Sequence, residues 1–317
     1  MNYIVLDLEW NQPRDGIKIE DRDLPFEIVE IGAIMLNAKF KMIGEFSELV
    51  KPVVYNRMNE VTSHLIHMNM KELKSGRIFK EVCEDFLKWA GEDYIFCTWG
   101  NIDLLELQRN MAYHKIAPLT DGPLPYLDVQ KLFSIAYEDK KIRRNLEYAV
   151  DYLQIKKDIP FHRAFSDAYY TAKVLAAFDS PDVYLNVSYD TYHIPASRKK
   201  EIHVLFSDYA KYISKGFDDK NAAMMDREVT STKCYLCNKP LKKQVRWFSS
   251  NARHFYSISY CEKHGHMKGK IRLKKTDDGR IYAIKTLKFV TPEEVGEIYA
   301  KKAHIQEIRR MKAKRQG

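Results

Sequence analysis

The stretch Asn2–Trp10, NYIVLDLEW, decides the fold, because an apolar run leads directly into two acids. Tyr3–Leu6 has the composition of a buried strand. Side chains alternate along a strand, so Asp7 and Glu9 point to the same face. Carboxylates this close repel each other unless cations lie between them, which favours a site for hard divalent metals. For this motif alone, the alternative of two solvated acids at a strand end stays open.

The residues around this strand predict an α/β fold. Strand-like runs at Phe26–Leu36 and Phe40–Val50 form an antiparallel meander with the first strand. Apolar residues then recur at helical spacing, and the short strand Tyr94–Trp99 leads into a helix that carries Asp103. Strands followed by alternating strands and helices predict a mixed sheet with helices on its faces.

Charge is divided unevenly along the 317 residues. Residues 1–182 carry 23 Lys and Arg against 29 Asp and Glu, a net charge of −6. Residues 183–317 carry 29 against 14, a net charge of +15. This division indicates that the first part performs chemistry and the second holds a polyanion, although a basic surface can also serve solubility alone.

Composition also limits the compartment and the class of protein. No apolar run approaches the length of a membrane span, so we expect no membrane partner. The N-terminus lacks the basic segment and small-residue cleavage site of a secretory signal. The five scattered cysteines do not form a disulfide framework, which fits a reducing cytoplasm.

Three later residues are candidates to join the two acids of the first strand. Asp103 lies just inside a helix, near the end of the preceding strand. His162 and Asp167 are five positions apart, about 140° around a helix, so His162 is expected in the preceding loop, reaching toward Asp167. Taken singly, Asp103 could be a residue favoured by the helix dipole and His162 a satisfied surface residue. The combined order of these residue types is much more specific.

This set of residue types suits phosphodiester hydrolysis. Carboxylates bind two Mg²⁺ or Mn²⁺ ions about 4 Å apart, which activate a water and stabilise the leaving oxygen. A nearby histidine can take the proton of that water.

At these motifs, residues 1–180 resemble the DnaQ-like DEDDh 3′→5′ exonucleases, which have a ribonuclease H-like fold, and within them the branch of KapD-like and Eri-type RNA exonucleases. The resemblance is carried by VLDLEW, PFEIVEIGAIMLN, FSELVKP, FKEVCEDFLKW, WGNIDLLELQRN, LDVQKLF and HRAFSDAYYTAKV. It implies a general base at His162 and metals held directly or through water by Asp7, Glu9, Asp103 and Asp167. The expected activity is trimming of single-stranded nucleic acid 3′ ends, with RNA favoured by the branch.

One position departs from the family pattern. Trp10 follows Glu9 where the family usually has Thr or Ala, next to the 3′-terminal nucleotide, so the terminal-base pocket is expected to differ. Two alternatives to the RNA exonuclease stay open. One is an inactive nucleic-acid-binding or regulatory protein that retains the fold, and the other is a proofreading or repair exonuclease that acts on DNA.

A second candidate metal site lies in the basic part of the chain. Two short chelating turns, separated by 23 residues, suit one tetrahedral, structural Zn²⁺, and the candidate ligands are Cys234, Cys237, Cys261 and His264. His254 and His266 are alternatives to His264, and two incidental pairs of core residues are the alternative to any metal. Strands are predicted at Val245–Phe248, Phe255–Tyr260, Ile271–Lys275 and Ile281–Val290, the arrangement of a zinc ribbon.

The chain is therefore expected to contain four parts. An exonuclease domain covers 1–182, and a basic connector, helical over Ala196–Lys215, covers 183–228. A zinc-ribbon-like β domain follows at 229–290, and a basic helix at 291–317. Lys, Arg and aromatic residues alternate through the ribbon, which suits single-strand binding, although the aromatic residues could instead form its small core. Nothing in the sequence identifies a protein partner.

Overall fold

The computed structural model of the protein describes residues 1–13, 24–66, 68–140 and 142–316. The chain divides into two compact units, residues 1–192 and residues 193–317. None of the helices in the described ranges is long and apolar enough to cross a membrane.

The first unit alternates strands and helices. Its strands are β1 (Asn2–Asn11), β2 (Glu27–Leu36), β3 (Met42–Lys51), β4 (Arg77–Ile78), β5 (Tyr94–Thr98), β6 (Leu124–Asp128) and β7 (Ser188–Asp190). Its helices are α1 (Glu60–Ile66), α2 (Met70–Leu73), α3 (Phe79–Ala90), α4 (Asp103–Tyr113), α5 (Val129–Tyr137), α6 (Leu146–Tyr152) and α7 (Ala164–Ala176), with a 3₁₀ helix at Pro181–Leu185.

β1 lies at the centre of the first sheet. Among the described residues the strand order is β4-β3-β2-β1-β5-β6-β7. The pairs β1–β2 and β2–β3 are antiparallel, whereas β5 runs parallel to β1 and β6 parallel to β5. This order confirms the mixed, helix-flanked sheet of the predicted ribonuclease H-like fold.

The alternation of side chains along β1 assigns its two faces to two helical layers. Ile4 and Leu6 are buried in a cluster with apolar residues of α3 and α4. Val5 is buried in a second cluster with residues of α5, α6 and α7. Because side chains two positions apart share a face, Asp7 and Glu9 continue the side of β1 that faces α7.

The second unit is an antiparallel sheet with few helices. Its strands are β8 (Ile202–Leu205), β9 (Tyr209–Ile213), β10 (Lys242–Ser249), β11 (His254–Cys261), β12 (Gly265–Lys275) and β13 (Ile281–Phe289). Its helices are α8 (Lys220–Met225) and α9 (Pro292–Gln316), with a 3₁₀ helix at Arg198–Lys200. In the described residues the strand order is β10-β11-β12-β13-β9-β8. α9 packs its Val295 and Ile298 against Val245 and Ile258.

The prediction of a helix over Ala196–Lys215 is wrong. That segment contains the 3₁₀ turn and the strands β8 and β9, which form a hairpin closed by a hydrogen bond from the Phe206 N–H to the Tyr209 carbonyl (2.8 Å). β9 also pairs with β13, more than 65 positions further along the chain, through Ile213↔Ile284 and Lys211↔Thr286. Aromatic and β-branched residues suit a pleated sheet, and this distant partner satisfies their backbone groups. Each of the four strands predicted for the ribbon overlaps an observed strand, but β10 begins three residues and β12 six residues before the predicted start.

Candidate functional site

The two acids of β1 lie side by side at its C-terminal end. Asp7 is paired with Gly32 of β2, and Glu9 is paired with Glu30. The register shifts after Glu9, so a bulge separates it from Trp10, whose ring packs against Phe26 at 5.8 Å between centroids. Both acids are partly buried and, as predicted, face the same side of the strand.

Gly32 allows α7 to approach the sheet closely. A Cβ at this position would lie 2.1 Å from the carbonyl carbon of Ala164, the first residue of α7, so only glycine fits. The first turn of α7 therefore rests on β2, next to the strand position of Asp7. As a result Asp167, in this first turn, brings one carboxylate oxygen within 4.8 Å of ligand atoms on Asp7 and Glu9.

His162 precedes α7, as the spacing predicts. Its φ of +65° lies in the left-handed region, which is uncommon for a residue other than glycine. This conformation turns its backbone N–H toward Asp167, where it donates to Oδ1 at 3.3 Å, while the residue stays exposed. His162 and Asp167 are thus held together at the start of the helix.

Asp103, at the start of α4, also lies near the C-terminal end of β1. Only 6% of its surface is exposed. The backbone N–H groups of Asp103 and Leu8 partly offset the rise in its pKa that burial causes. Asp103 lies outside the group of three carboxylates, yet its charge acts on Asp7 directly.

Burial raises the pKa of each of the four carboxyl groups, and the neighbouring acids raise most of them further. The pKa of Asp7 lies well above its usual range because the group is buried and because Asp103 and Glu9 are near. Burial, followed by the charges of Asp167 and Glu30, raises the pKa of Glu9 to about 8. The pKa rises to about 7 at Asp103 and to about 6 at Asp167. Concentrated, poorly solvated negative charge is the electrostatic condition for binding cations.

The donor set fits hard divalent metals. It consists of carboxylate oxygens alone, which Mg²⁺ and Mn²⁺ prefer, and three of them converge within 4.8 Å. Many acidic clusters hold no ion, but those are usually solvated. Here the carboxylates are buried, so their negative charge must be neutralised by a cation, a proton or a basic side chain.

Two residues that the sequence did not single out support this site. Glu30 is 1% exposed and forms a bidentate ion pair with Arg163, with N–O distances of 2.8 and 3.0 Å. Glu30 also accepts the N–H of Ala164 at 3.3 Å, so it fixes the start of α7 to β2. The charge of Arg163 lowers the pKa of Glu9. An acid flanked by apolar residues on both sides within β2 was the signal that the sequence offered for Glu30.

The four candidate zinc ligands also converge. Their ligand atoms lie within 4.8 Å of one another in the second unit. Cys237 Sγ and Cys261 Sγ are 3.8 Å apart, and His264 Nδ1 lies 3.3 Å from Cys234 Sγ and 3.5 Å from Cys261 Sγ. Bond lengths around Zn²⁺ predict tetrahedron edges of about 3.8 Å between sulfurs and about 3.5 Å between sulfur and nitrogen. The geometry therefore fits one Zn²⁺.

The backbone of the two chelating turns follows one pattern. In each turn, the first cysteine accepts hydrogen bonds from the N–H groups two and three positions later. The residue after each turn, Asn238 or Gly265, has a positive φ, +55° and +86° respectively. The Lys239 N–H lowers the pKa of Cys237. Backbone donors directed at sulfur stabilise thiolates, which are the form that binds metal.

Comparison with known proteins identifies the first unit. The family model RNase_T, described as an exonuclease, matches residues 4–175. No curated protein matches the chain significantly.

Among solved structures, the nuclease domain of 3′hExo, a DEDDh family member bound to rAMP, is 16% identical, with a TM-score of 0.47 over 55% of this chain and 90% of that one. Cell-death related nuclease 4 is 14% identical, with a TM-score of 0.47 over 75% and 87%. The E. coli ExoI–ssDNA complex in its zinc-bound form is 11% identical, with a TM-score of 0.48 over 81% and 54%. Because these sequence identities and TM-scores are low, the assignment to a family rests on the family model alone.

Proposed function

The chain belongs to the RNase_T exonuclease family, and from this premise we propose that it is a metal-dependent 3′→5′ exonuclease that trims single-stranded nucleic acid. The observation that carries this proposal is the convergence of Asp7, Glu9 and Asp167 within 4.8 Å, with Asp103 buried beside them. These are the same four carboxylates that the DEDDh resemblance selects. The alternative of solvated acids at a strand end does not account for their burial.

We propose that these four carboxylates hold two Mg²⁺ or Mn²⁺ ions. Bound there, the ions would activate the attacking water and stabilise the oxygen that leaves. The chain contributes the shape of the site, since Gly32 seats α7 on the sheet and the Glu30–Arg163 pair fixes the beginning of that helix.

His162 is the proposed general base. The residue is exposed, its backbone N–H donates to Asp167, and its charge acts to lower the pKa of that carboxyl group. We therefore propose that its imidazole takes the proton of a water held at the carboxylates. The proton then leaves to solvent through the same exposed ring.

We propose one structural Zn²⁺ in the second unit, held by the two chelating turns described above. Four protein ligands leave no open position, so this ion would stabilise the fold and would not catalyse. We propose an exonuclease domain over 1–182, a zinc-ribbon-like domain over 229–290 and a basic helix over 291–317, and a cytoplasmic location. A separate connector at 183–228 is not proposed, because within that segment β7 pairs with β6, and β8 and β9 belong to the sheet of the second unit.

RNA is the proposed substrate, on the resemblance to KapD-like and Eri-type RNA exonucleases. A direct test supplies the purified chain with Mn²⁺ and equal amounts of matched RNA and DNA strands that carry different 5′ labels. RNA should shorten faster from its 3′ end. Faster loss of DNA would support a proofreading or repair exonuclease.

The same assay separates the enzyme from an inactive nucleic-acid-binding protein. His162→Gln should slow shortening on the order of 100-fold or more, since general-base catalysis contributes at least this factor. His203→Gln, in the second unit, is the matched control and should keep wild-type activity. Binding of both strands without shortening by the wild-type chain would favour the inactive protein.

A further inference from the structure

The outward side of β12 carries a row of cations. Along this strand Met267, Gly269, Ile271 and Leu273 are buried, and the residues between them, Lys268, Lys270 and Arg272, point to the opposite face. Outward positions lie about 7 Å apart along a strand. We call this row, together with Lys288 of β13, the basic face.

Pairing between strands concentrates the charge further. Lys268 lies directly opposite Lys288 of β13, and Lys270 lies opposite Tyr256 of β11. Like charges directly opposite each other destabilise a sheet. β12 is an interior strand with a neighbour on each side, so these lysines do not protect an exposed sheet edge from aggregation. Neither stability nor edge protection explains the row.

Within the described part of the chain, most cations of the basic face have no ion-pair partner. Among the ion pairs of the described residues, none involves Lys268, Lys270 or Arg272, and Lys288 reaches Asp208 only at 4.0 Å. Lys270 and Arg272 are exposed, whereas Lys268 is half-buried opposite Ile258, where α9 packs. The net positive charge is therefore displayed toward solvent chiefly at Lys270 and Arg272.

The neighbouring helix adds to the same positive region. Lys301 of α9 lies over the ring of Tyr256, with Nζ 4.2 Å from the centroid. Burial lowers the pKa of His254, and the charges of Lys270, Arg272, Lys301 and Arg253 lower it further, which records how closely these cations gather around one imidazole. The positive region thus extends from β12 across β11 to α9.

We propose that the basic face binds the phosphodiester backbone of the single-stranded substrate. This inference rests on the proposed function, because a nuclease is the context in which a polyanion is the expected partner. Cations in a row recognise phosphates regardless of base sequence, as an enzyme that shortens a strand stepwise requires. β12 exposes no large apolar side chain, which disfavours insertion into a membrane surface.

The test measures binding at a series of salt concentrations. The variant Lys268→Gln/Lys270→Gln/Arg272→Gln is made in the Asp7→Asn background of the full chain, so that the labelled single-stranded RNA is not degraded. Each phosphate contact on a single strand contributes about 0.7 to the slope of log K against log salt, so three lost contacts should make it shallower by about 2. At 0.1 M salt this corresponds to weakening on the order of 100-fold.

The matched control, Lys39→Gln/Lys41→Gln/Lys88→Gln, removes three exposed charges from the first unit. It should keep the wild-type slope. Equal slopes for the two triple variants would overturn the proposal. The proposal would also be overturned if the basic-face variant lost binding to poly-glutamate or to anionic vesicles while its RNA binding stayed unchanged. The partner would then be an acidic protein or a membrane.

Two readouts separate this proposal from the proposed function and from misfolding. The basic-face variant with Asp7 restored should cleave a dinucleotide at the wild-type rate, because that substrate offers a single phosphate to the active site. If the wild-type chain cleaves nothing, the proposed function fails while the salt slope still reports on the basic face. The melting temperature should equal or exceed that of wild type, since the Lys268–Lys288 repulsion is removed; a lower value with an unchanged salt slope would count against the proposal.

Discussion

Arg163→Met tests how the active site is held in place. The substitution leaves Glu30 buried, with 2% of its side chain exposed, and without its bidentate partner. Removing one partner of a buried ion pair costs about 3–5 kcal/mol. Because the Arg163 side chain is itself 41% exposed, part of this interaction is screened, so we expect a loss of about 2–3 kcal/mol in the free energy of unfolding.

Activity should fall together with stability. Arg163 fixes the start of α7 and lowers the pKa of Glu9, so its loss loosens Asp167 and leaves Glu9 more protonated. Removing a residue that orients metal ligands typically costs 10–100-fold in metal affinity or activity. Urea unfolding gives the stability, and initial rates over a Mn²⁺ titration give the apparent metal affinity and kcat/KM.

Arg77→Met is the matched control, because Arg77 also pairs with an acid, Asp85, at 2.7 Å, but both side chains are about half exposed. It should change neither stability nor activity measurably. Adding Glu30→Gln to Arg163→Met should recover most of the lost stability, since position 30 then carries no unpaired charge. The reasoning is refuted if Arg163→Met resembles Arg77→Met, or if Glu30→Gln makes the double variant less stable.

Three further outcomes are expected. Gly32→Ala should abolish shortening and lower the melting temperature by several degrees, because its Cβ would lie 2.1 Å from the Ala164 backbone; a variant with unchanged melting and rate would contradict the close approach. Mass spectrometry under native conditions should find one Zn²⁺ per chain, and Cys234→Ser should lose it along with thermal stability; full zinc content in that variant would exclude the site. Burial lowers the pKa of Lys285 to about 8, so between pH 8 and 10 the unfolded chain holds a proton that the folded chain has lost, and stability rises with pH. Relative to Lys285→Met, the wild-type free energy of unfolding should therefore increase by about 1.4 kcal/mol per pH unit, and a flat difference would contradict the shift.

The local sequence pattern was sufficient to predict much of the active site. Alternation along β1 placed Asp7 and Glu9 on one face, and the five-residue interval placed His162 in the loop before α7. These predictions depend only on the periodicity of strands and helices. The role of Gly32 depends on a helix more than 130 positions away, which no local pattern reveals.

The missed features share this dependence on distant contacts. Glu30 and Arg163 are 133 positions apart, and neither has a local signature that predicts the other. The segment of β8 and β9 was predicted as a helix because its charge and apolar spacing also fit a helical face, and pairing of β9 with β13 decides the outcome. Propensity is a weak guide where a sheet offers backbone partners.

The most direct measurement is the product ladder of a 5′-labelled single-stranded RNA with Mg²⁺ or Mn²⁺, for the wild-type chain and for Asp7→Asn. The account predicts stepwise shortening from the 3′ end by the wild-type chain, none when the 3′ end is blocked, and none by Asp7→Asn under any condition. Shortening that persists at the wild-type rate in Asp7→Asn, or a wild-type chain that leaves the strand intact with either metal, would contradict it.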